Sequence, residues 1–515
     1  MMATLLKPNQ FIDHLRRSVS ASAKITVDTR QVESGDIFLA YSVGHGAALR
    51  DNRSFIYAAL DAGAAVVAYD PEGISADKVI DDPRCYAIAD LAQSAGVICS
   101  EWYGNPSQKM SVIGVTGTNG KTSITQWLAQ TLDQPSERAA VLGTLGVGFP
   151  GQLHMMGYTT PDAPRLQTEL KNLLDRGAKR IAMEVSSHAL EQGRVNQVQF
   201  TTAVFSNLSQ DHLDYHGTMA EYAQAKASLF KTMGLRHAVI NLEDTFGREL
   251  AMQLLAKQQI EVWGYALDSL AFRGFEKFTD RFNRVCTQGM QFRDAAYRGL
   301  FEWQGHGHSE LTIPVIGEFN LSNCLAVWAC LLIEGIDLAG ASKRLTNLKS
   351  VSGRMELVAL PYTAKASGPL VVVDYAHTPD ALEKALKALR PIAAERNGRI
   401  WCVFGCGGDR DIGKRPLMGR IADALADQIV ITSDNPRSED PDEIINAIRS
   451  GMPHSASVQV IVDRAAAIMS AVRHAKSADV ILIAGKGHEA IQEIKGRKFT
   501  FSDQEHVRLA AGGLI

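Results

Sequence analysis

Residues 110–132 read MSVIGVTGTNGKTSITQWLAQTL. The run from Ser111 to Val115 has the continuous apolar character of a buried strand, and SITQWLAQTL has the pattern of a helix. Between them lie Gly117, Thr118, Asn119, Gly120, Lys121 and Thr122. Strand, glycine-rich turn, Lys-Thr and helix in that order form an arrangement for gripping a polyphosphate. Backbone N–H groups and the helix N-terminus face the anion, Lys121 neutralises charge, and the Thr122 hydroxyl can reach Mg²⁺. The usual phosphate-loop pattern has glycine at position 115, where this chain has Val115. A literal pattern search would reject it, yet the agreement in order disfavours a bland strand–helix turn with an exposed lysine. The expected ligand is ATP with Mg²⁺.

Outward from that loop, strands and helices alternate. AAVLGTLGVGF, RIAMEVS, TAVFSNL and HAVINL follow it, and PLVVVDYA, RIWCVFG, DQIVITS, VQVIVD and DVILIAG come later. Nearly continuous apolar strands between amphipathic helices predict α/β units with parallel sheets covered on both faces. Three domains are expected, at 1–106, 107–350 and 351–515, with GNPSQ (104–108) as the first linker. The stretch 262–316 is more β-like and less regular, an excursion from the alternation, and a helix over NLSNCLAVWACLLIEG follows it. In open α/β sheets ligands collect at the carboxyl ends of strands, so the residues just after each strand carry the chemistry.

Composition narrows the classes. The chain has 515 residues, 46% hydrophobic and 21% charged, with a formal net charge of −3. No global basic field argues for nucleic acid, so anionic ligands need local sites. Seven scattered cysteines suit free thiols in a reducing compartment, and Cys402 and Cys406 read as core thiols rather than metal ligands. The N-terminus lacks a signal-peptide pattern, and the longest apolar run, CLAVWACLLI, falls short of the roughly 18 residues that span a bilayer. A cytoplasmic protein without membrane insertion is expected.

Three further features stand after predicted strands. Glu184 ends RIAMEV, where a Mg²⁺ ligand belongs beside a phosphate loop. Ser209–Gly217 (SQDHLDYHG) gathers acids and imidazoles that could serve metal, phosphate or proton transfer, and spacing does not choose. The turn SDNPRS (433–438) places Arg437 at its tip, either as a solvated charge or waiting for an anion. Lys226, within EYAQAKASLF, reads by periodicity as a solvated helix lysine.

In order along the chain, GVTGTNGKT, TTP (159–161), EVSSHAL, DHLDYHG, the lysine of YAQAK, GEFNLSN, GR-E (353–356) and DYAHTPD resemble the Mur ligases. These are ATP-dependent amide-forming enzymes of peptidoglycan precursor synthesis. The resemblance implies an N-terminal α/β UDP-binding domain, a central P-loop ATPase domain and a C-terminal Rossmann-like domain. It further implies ATP-driven formation of an acyl phosphate, on which an amine then acts. By match to family positions, Lys121, Glu184, His212 and Lys226 are catalytic. Thr122, Glu184, His212 and Lys226, the last as a carbamate, would hold Mg²⁺. Asn320, Arg354, Asp374 and Tyr375 join the phosphate loop in binding ATP. Thr29, His45, Thr159, Thr160, Ser186, Gln192 and Arg194 match positions that bind the UDP-muramoyl-peptide. Tyr158 and Gly46 depart from the family pattern, which usually has Asn and often Gln there.

GCGGDRDIGKRP (405–416), DNPR and GKGHE (485–489) resemble the members that add meso-diaminopimelate to UDP-N-acetylmuramoyl-L-alanyl-D-glutamate. That amino acid differs from lysine by a second carboxylate, which the planar fork of an arginine can bind bidentately. Arg437 and Arg410 are the implied carboxylate partners. Asn435 offers amide donors, Asp434 and Glu489 would meet ammonium groups, and the Gly485 backbone assists. L-lysine-adding relatives lack an arginine at the DNPR position. A P-loop switch and a folylpolyglutamate synthase are the more distant alternatives. A monomer is expected.

Overall fold

The computed structural model describes residues 5–43, 49–74, 80–278, 280–293, 295–360, 368–452 and 458–512. The chain forms two compact units. One is Met1–Gln288, Leu300–Glu310 and Ser322–Leu345, and the other is Gly289–Gly299, Leu311–Leu321 and Thr346–Ile515.

Within the first unit, a four-stranded parallel sheet runs in the order Ile25–Thr26, Ile37–Ala40, Val66–Tyr69, Cys85–Ala87. The helices Pro8–Ser18 and Leu91–Trp102 place Phe11, Leu15, Leu91 and Ile98 in its core. The first strand is only Ile25–Thr26, because a 3-10 turn at Thr29–Gln31, capped by Asp28, follows it. The GNPSQ segment is ordered. Pro106–Lys109 forms a 3-10 helix with Pro106 and Ser107 buried, and Ser107 Oγ accepts from the Gln199 N–H at 3.1 Å.

The larger sheet is ordered Gln152–His154, Gly146–Phe149, Arg138–Gly143, Ala178–Glu184, Ser111–Thr116, Thr202–Phe205, His237–Asn241, Glu261–Ala266, Phe282–Arg293, Ala296–Trp303, Gly307–Ile313. Pairing is parallel from Arg138–Gly143 to Phe282–Arg293. Ser111–Thr116 is the first of its strands in the chain. Ala178–Glu184 flanks it on one side and Thr202–Phe205 on the other. The strand order reverses at that point, which opens a crevice at the carboxyl ends. The last three strands are the excursion expected at 262–316.

The second unit carries a six-stranded sheet in the order Glu356–Leu357, Leu370–Asp374, Val480–Ala484, Ile400–Phe404, Gln428–Ile431, Val458–Val460. All but the first pair are parallel. Ile400–Phe404 and Val480–Ala484 are buried at every position, as their unbroken apolar sequences require. Helix Pro379–Glu395 starts with proline after Thr378, whose hydroxyl caps the Ala381 N–H, and it buries Leu382, Leu386 and Leu389. The turns after four adjacent parallel strands therefore emerge at one edge. They hold Tyr375, the 405–416 segment, SDNPRS and GKGHE.

Candidate active site

Gly117 (φ +146°) and Gly120 (φ +89°) bend the phosphate loop through backbone regions that side chains disfavour. Space excludes side chains as well. A Cβ on Gly117 would lie 2.0 Å from Ser206 Oγ, and one on Gly120 2.6 Å from Asn323 Oδ1. The loop is anchored from the next strand, since the Thr118 N–H donates to the Asn207 carbonyl at 2.8 Å and the Asn119 N–H to Asn207 Oδ1 at 3.0 Å. Helix Lys121–Leu132 begins at Gly120 and points its N-terminus into the loop. Val115, the departure from the glycine pattern, is a fully buried strand residue. Glycine is therefore not needed there.

Lys121 Nζ donates to the Gly117 and Thr118 carbonyls at 2.9 and 3.0 Å. Lys226 Nζ donates to the same Gly117 carbonyl at 3.0 Å. Periodicity made Lys226 a solvated residue, and the structure corrects this, since it is 1% exposed. Its helix, Met219–Ala227, buries the face formed by Tyr222, Ala223, Lys226 and Ala227. Its Nζ stands 4.2 Å from the Tyr222 ring centroid. Burial first, then the Lys121 charge, hold Lys226 well below the usual lysine range, with Asp211 opposing them.

Glu184, 1% exposed, accepts from Thr122 Oγ1 at 3.0 Å and from the Thr144 N–H at 2.8 Å. Thr144 Oγ1 lies 3.0 Å from Thr159 Oγ1. Thr160 Oγ1 donates to the Glu184 carbonyl at 2.9 Å and accepts from the Ser186 N–H at 3.1 Å. Arg194 donates to the Thr160 carbonyl and to Gln192 Oε1, both at 2.9 Å. Thr159, Thr160, Ser186, Gln192 and Arg194 are thus brought together around the strand that ends in Glu184. Tyr158 is exposed. Thr29 opens the short helix Thr29–Gln31, and His45 and Gly46 lie outside the described residues.

The imidazoles cluster on the same side. His188 and His212 rings are 4.9 Å apart, and His188 lies 4.1 Å from the Tyr215 ring. Burial, followed by the charges of His212 and His216, lowers His188 to about 4. Burial also lowers His212, against the pull of Asp211. Among the described residues, no three His, Cys, Asp or Glu side chains form a ready metal cluster.

In the second unit, Asp374 accepts from the Met355 and Ala376 N–H groups at 2.7 and 2.8 Å. The Arg354 guanidinium lies 4.6 Å from the Tyr375 ring centroid. Asn320, 3% exposed, donates to the Ile316 carbonyl. The SDNPRS turn is no free loop. Arg437 (φ +51°) donates its N–H to the Glu493 carbonyl at 3.1 Å, and its NH1 donates to the Gly408 carbonyl at 2.6 Å. Asp434 and Asn435 are buried, and Asn435 Nδ2 donates to Glu489 Oε2 at 2.8 Å. Burial raises the Asp434 carboxyl. The Gly485 N–H donates to the Asp374 carbonyl at 3.1 Å, while Arg410 is exposed. Asp434, Asn435, Arg437, Gly485 and Glu489 therefore form one cluster, with Arg410 on the exposed segment before it.

Sequence reading missed three participants. Thr144 stands just past the strand Arg138–Gly143, and the rule of strand ends would have found it. Asn323 packs against Gly120 from the GEFNLSN segment. Lys486, fully buried, binds both Asn435 and Glu489. All seven cysteines are free, and Cys402 and Cys406 are buried, as expected of core thiols.

Comparison with known proteins agrees with this geometry. Residues 115–331 match the Mur ligase middle domain, and 353–487 match the Mur ligase glutamate ligase domain. A UDP-N-acetylmuramoyl-L-alanyl-D-glutamate–2,6-diaminopimelate ligase of Ralstonia nicotianae is 49% identical, over 97% of this chain and 95% of that protein. The protein of the same name from Pseudomonas aeruginosa is 46% identical, over 95% and 94%. A solved structure of a ligase so named superposes with a TM-score of 0.65 at 35% identity, covering 95% of this chain and 94% of that one. Sequence motifs, sheet order and full-length similarity converge on one conclusion: the chain belongs to the Mur ligase family.

Proposed function

We propose that the protein is the ATP-dependent ligase that joins meso-diaminopimelate to the D-glutamyl γ-carboxylate of UDP-N-acetylmuramoyl-L-alanyl-D-glutamate. The names of its relatives support this acceptor over L-lysine. The observation that carries the reading is the convergence of Lys121 and Lys226 on the Gly117 carbonyl in a phosphate loop, together with the Thr122–Glu184 pair at 3.0 Å. A nucleotide switch has no use for the carboxylate- and ammonium-binding cluster of the second unit.

The reaction needs two displacements. A γ-carboxylate oxygen attacks the terminal phosphorus of ATP, and ADP leaves. The amine then attacks the acyl carbon and loses a proton, and inorganic phosphate departs. Charge accumulates on phosphoryl and acyl oxygens, so catalysis rests on positioned cations and donors. Loop N–H groups and Lys121 bind the phosphates. Thr159, Thr160, Ser186, Gln192 and Arg194 orient the peptide, with Thr29 and His45 on the UDP side. Asn320, Arg354, Asp374 and Tyr375 serve the nucleoside. In the second unit Arg437, with Arg410, binds the distal carboxylate, while Asp434 and Glu489 bind ammonium groups beside Asn435 and Gly485.

The donor set fits Mg²⁺, which takes one or two carboxylates and completes its shell with phosphates and water. Thr122 and Glu184 would hold one ion, and His212 and Lys226 would help hold a second. Bound there, Mg²⁺ supplies charge neutralisation to the phosphates. Lys226 can join only as an anion. Its burial favours the neutral amine, which adds CO₂ and releases a proton to give a carbamate. The setting proposed is a cytoplasmic monomer with domains at 1–106, 107–350 and 351–515. Among the described residues no helix is long and apolar enough to cross a membrane.

The test is product analysis by mass spectrometry. ATP, Mg²⁺, the UDP-dipeptide and meso-diaminopimelate should give UDP-tripeptide with equal ADP and phosphate. Tripeptide formed without ATP, or ADP formed without tripeptide, would contradict the reading.

A further inference from the structure

We propose that Lys486 is the positioning residue of the amino-acid site, fixing the orientation of Asn435 and the presentation of Glu489. The inference rests on the assignment of that cluster to diaminopimelate. Lys486 follows the buried strand Val480–Ala484 and is 0% exposed. A buried ammonium is costly unless its donors are matched. Its three N–H bonds meet three acceptors, Asn435 Oδ1 at 3.0 Å, Glu489 Oε2 at 3.1 Å and the Ile491 carbonyl at 2.6 Å. Those acceptors belong to the SDNPRS turn, to the loop carrying Lys486 and to the hairpin Ile491–Ile494/Arg497–Thr500.

The consequence for Asn435 follows from donor–acceptor counting. Its Oδ1 accepts from Lys486 and also from the Glu493 N–H at 3.0 Å. A flipped amide would press its NH₂ against an ammonium and an N–H. The nitrogen is therefore held on the other side, where Nδ2 donates to Glu489 Oε2 at 2.8 Å. Both bonds to Glu489 fall on Oε2, so Oε1 is the oxygen a substrate ammonium would meet. The same hairpin carries the rest of the turn. Gln492 Nε2 donates to the Asp434 carbonyl at 2.8 Å, and the Lys495 N–H donates to the Arg437 carbonyl at 2.6 Å. Lys486 thus ties the ammonium-binding carboxylate to the platform that holds the carboxylate-binding arginine. If only filling the core mattered, an apolar side chain would serve.

Lys486→Met and Lys486→Arg test this through the KM of each substrate. The methionine variant should raise the diaminopimelate KM by about thirtyfold, with the ATP and UDP-dipeptide KM values within about twofold of wild type. Arginine should recover most of the loss. An unchanged diaminopimelate KM, or equal shifts for all three substrates, overturns the proposal. If neither variant folds, Asn435→Asp takes their place. It keeps an acceptor for Lys486 but sets an oxygen against Glu489, and should raise the diaminopimelate KM at least about tenfold with kcat little changed. An unchanged KM there overturns the proposal equally. Wild-type enzyme that ignores diaminopimelate would refute the site assignment itself, whereas wild-type use with unmoved variants refutes only the role of Lys486.

Discussion

Arg437 sits in left-handed backbone, which costs a residue other than glycine about 1–2 kcal/mol. The Glu493 carbonyl and the Lys495 N–H hold it there, and its guanidinium lies 4.0 Å from Glu493 Oε2. Arg437→Ala should raise the diaminopimelate KM at least about tenfold, the scale of one lost charged hydrogen bond, and an unmoved KM would remove it from the site. Lys226 gives a second prediction. Lys226→Arg places a permanent cation there and cannot form a carbamate, so kcat should fall at least about a hundredfold while nucleotide still binds. A variant with wild-type turnover would eliminate the carbamate. The two residues were differently legible in the sequence. Its place after a strand made Arg437 a candidate but left it open between a solvated charge and an anion site, and only the family resemblance implied a role. Lys226 did not stand out, because lysines on helices are overwhelmingly exposed, and only packing against Tyr222 and the loop reveals the exception.

At the scale of elements, the phosphate loop ties sequence most directly to fold. Gly120→Ala would force a Cβ to 2.6 Å from Asn323 Oδ1 in a left-handed backbone. The ATP KM should rise by an order of magnitude or more, and stability should drop by about 1–2 kcal/mol. Equilibrium unfolding and ATP titration measure both, and an alanine variant that binds ATP normally would contradict the loop geometry. Strand–loop–helix order and parallel sheets were readable because continuous apolar runs have few other solutions. The four-stranded sheet was less so. Its strands are only two to four residues long, and the Asp28-capped turn follows the first. The role of Lys486 stayed hidden because periodicity identifies faces, not which distant polar group completes a buried one.

For the whole molecule, burial pushes His488 down to about 4, helped by the charges of Arg354 and Lys486. The folded state thus favours the neutral ring, and the unfolded chain binds a proton first as pH falls below the ordinary 6.5. Stability is complete above that value and drains away as pH falls toward 4. Between pH 7.5 and 5 His488 should account for about 2 kcal/mol, and His488→Gln should flatten the pH dependence of urea unfolding over that range. An unaltered slope would contradict the burial of a neutral imidazole. The central claim concerns coupling between phosphate chemistry and a chosen amine, and one measurement addresses it. Phosphate release from ATP is followed with the UDP-dipeptide present and each amino acid supplied in turn. Release that requires both the UDP-dipeptide and meso-diaminopimelate, with L-lysine at least tenfold less effective in kcat/KM, is the predicted result. Release that proceeds without either substrate, or equally with lysine, would contradict the account.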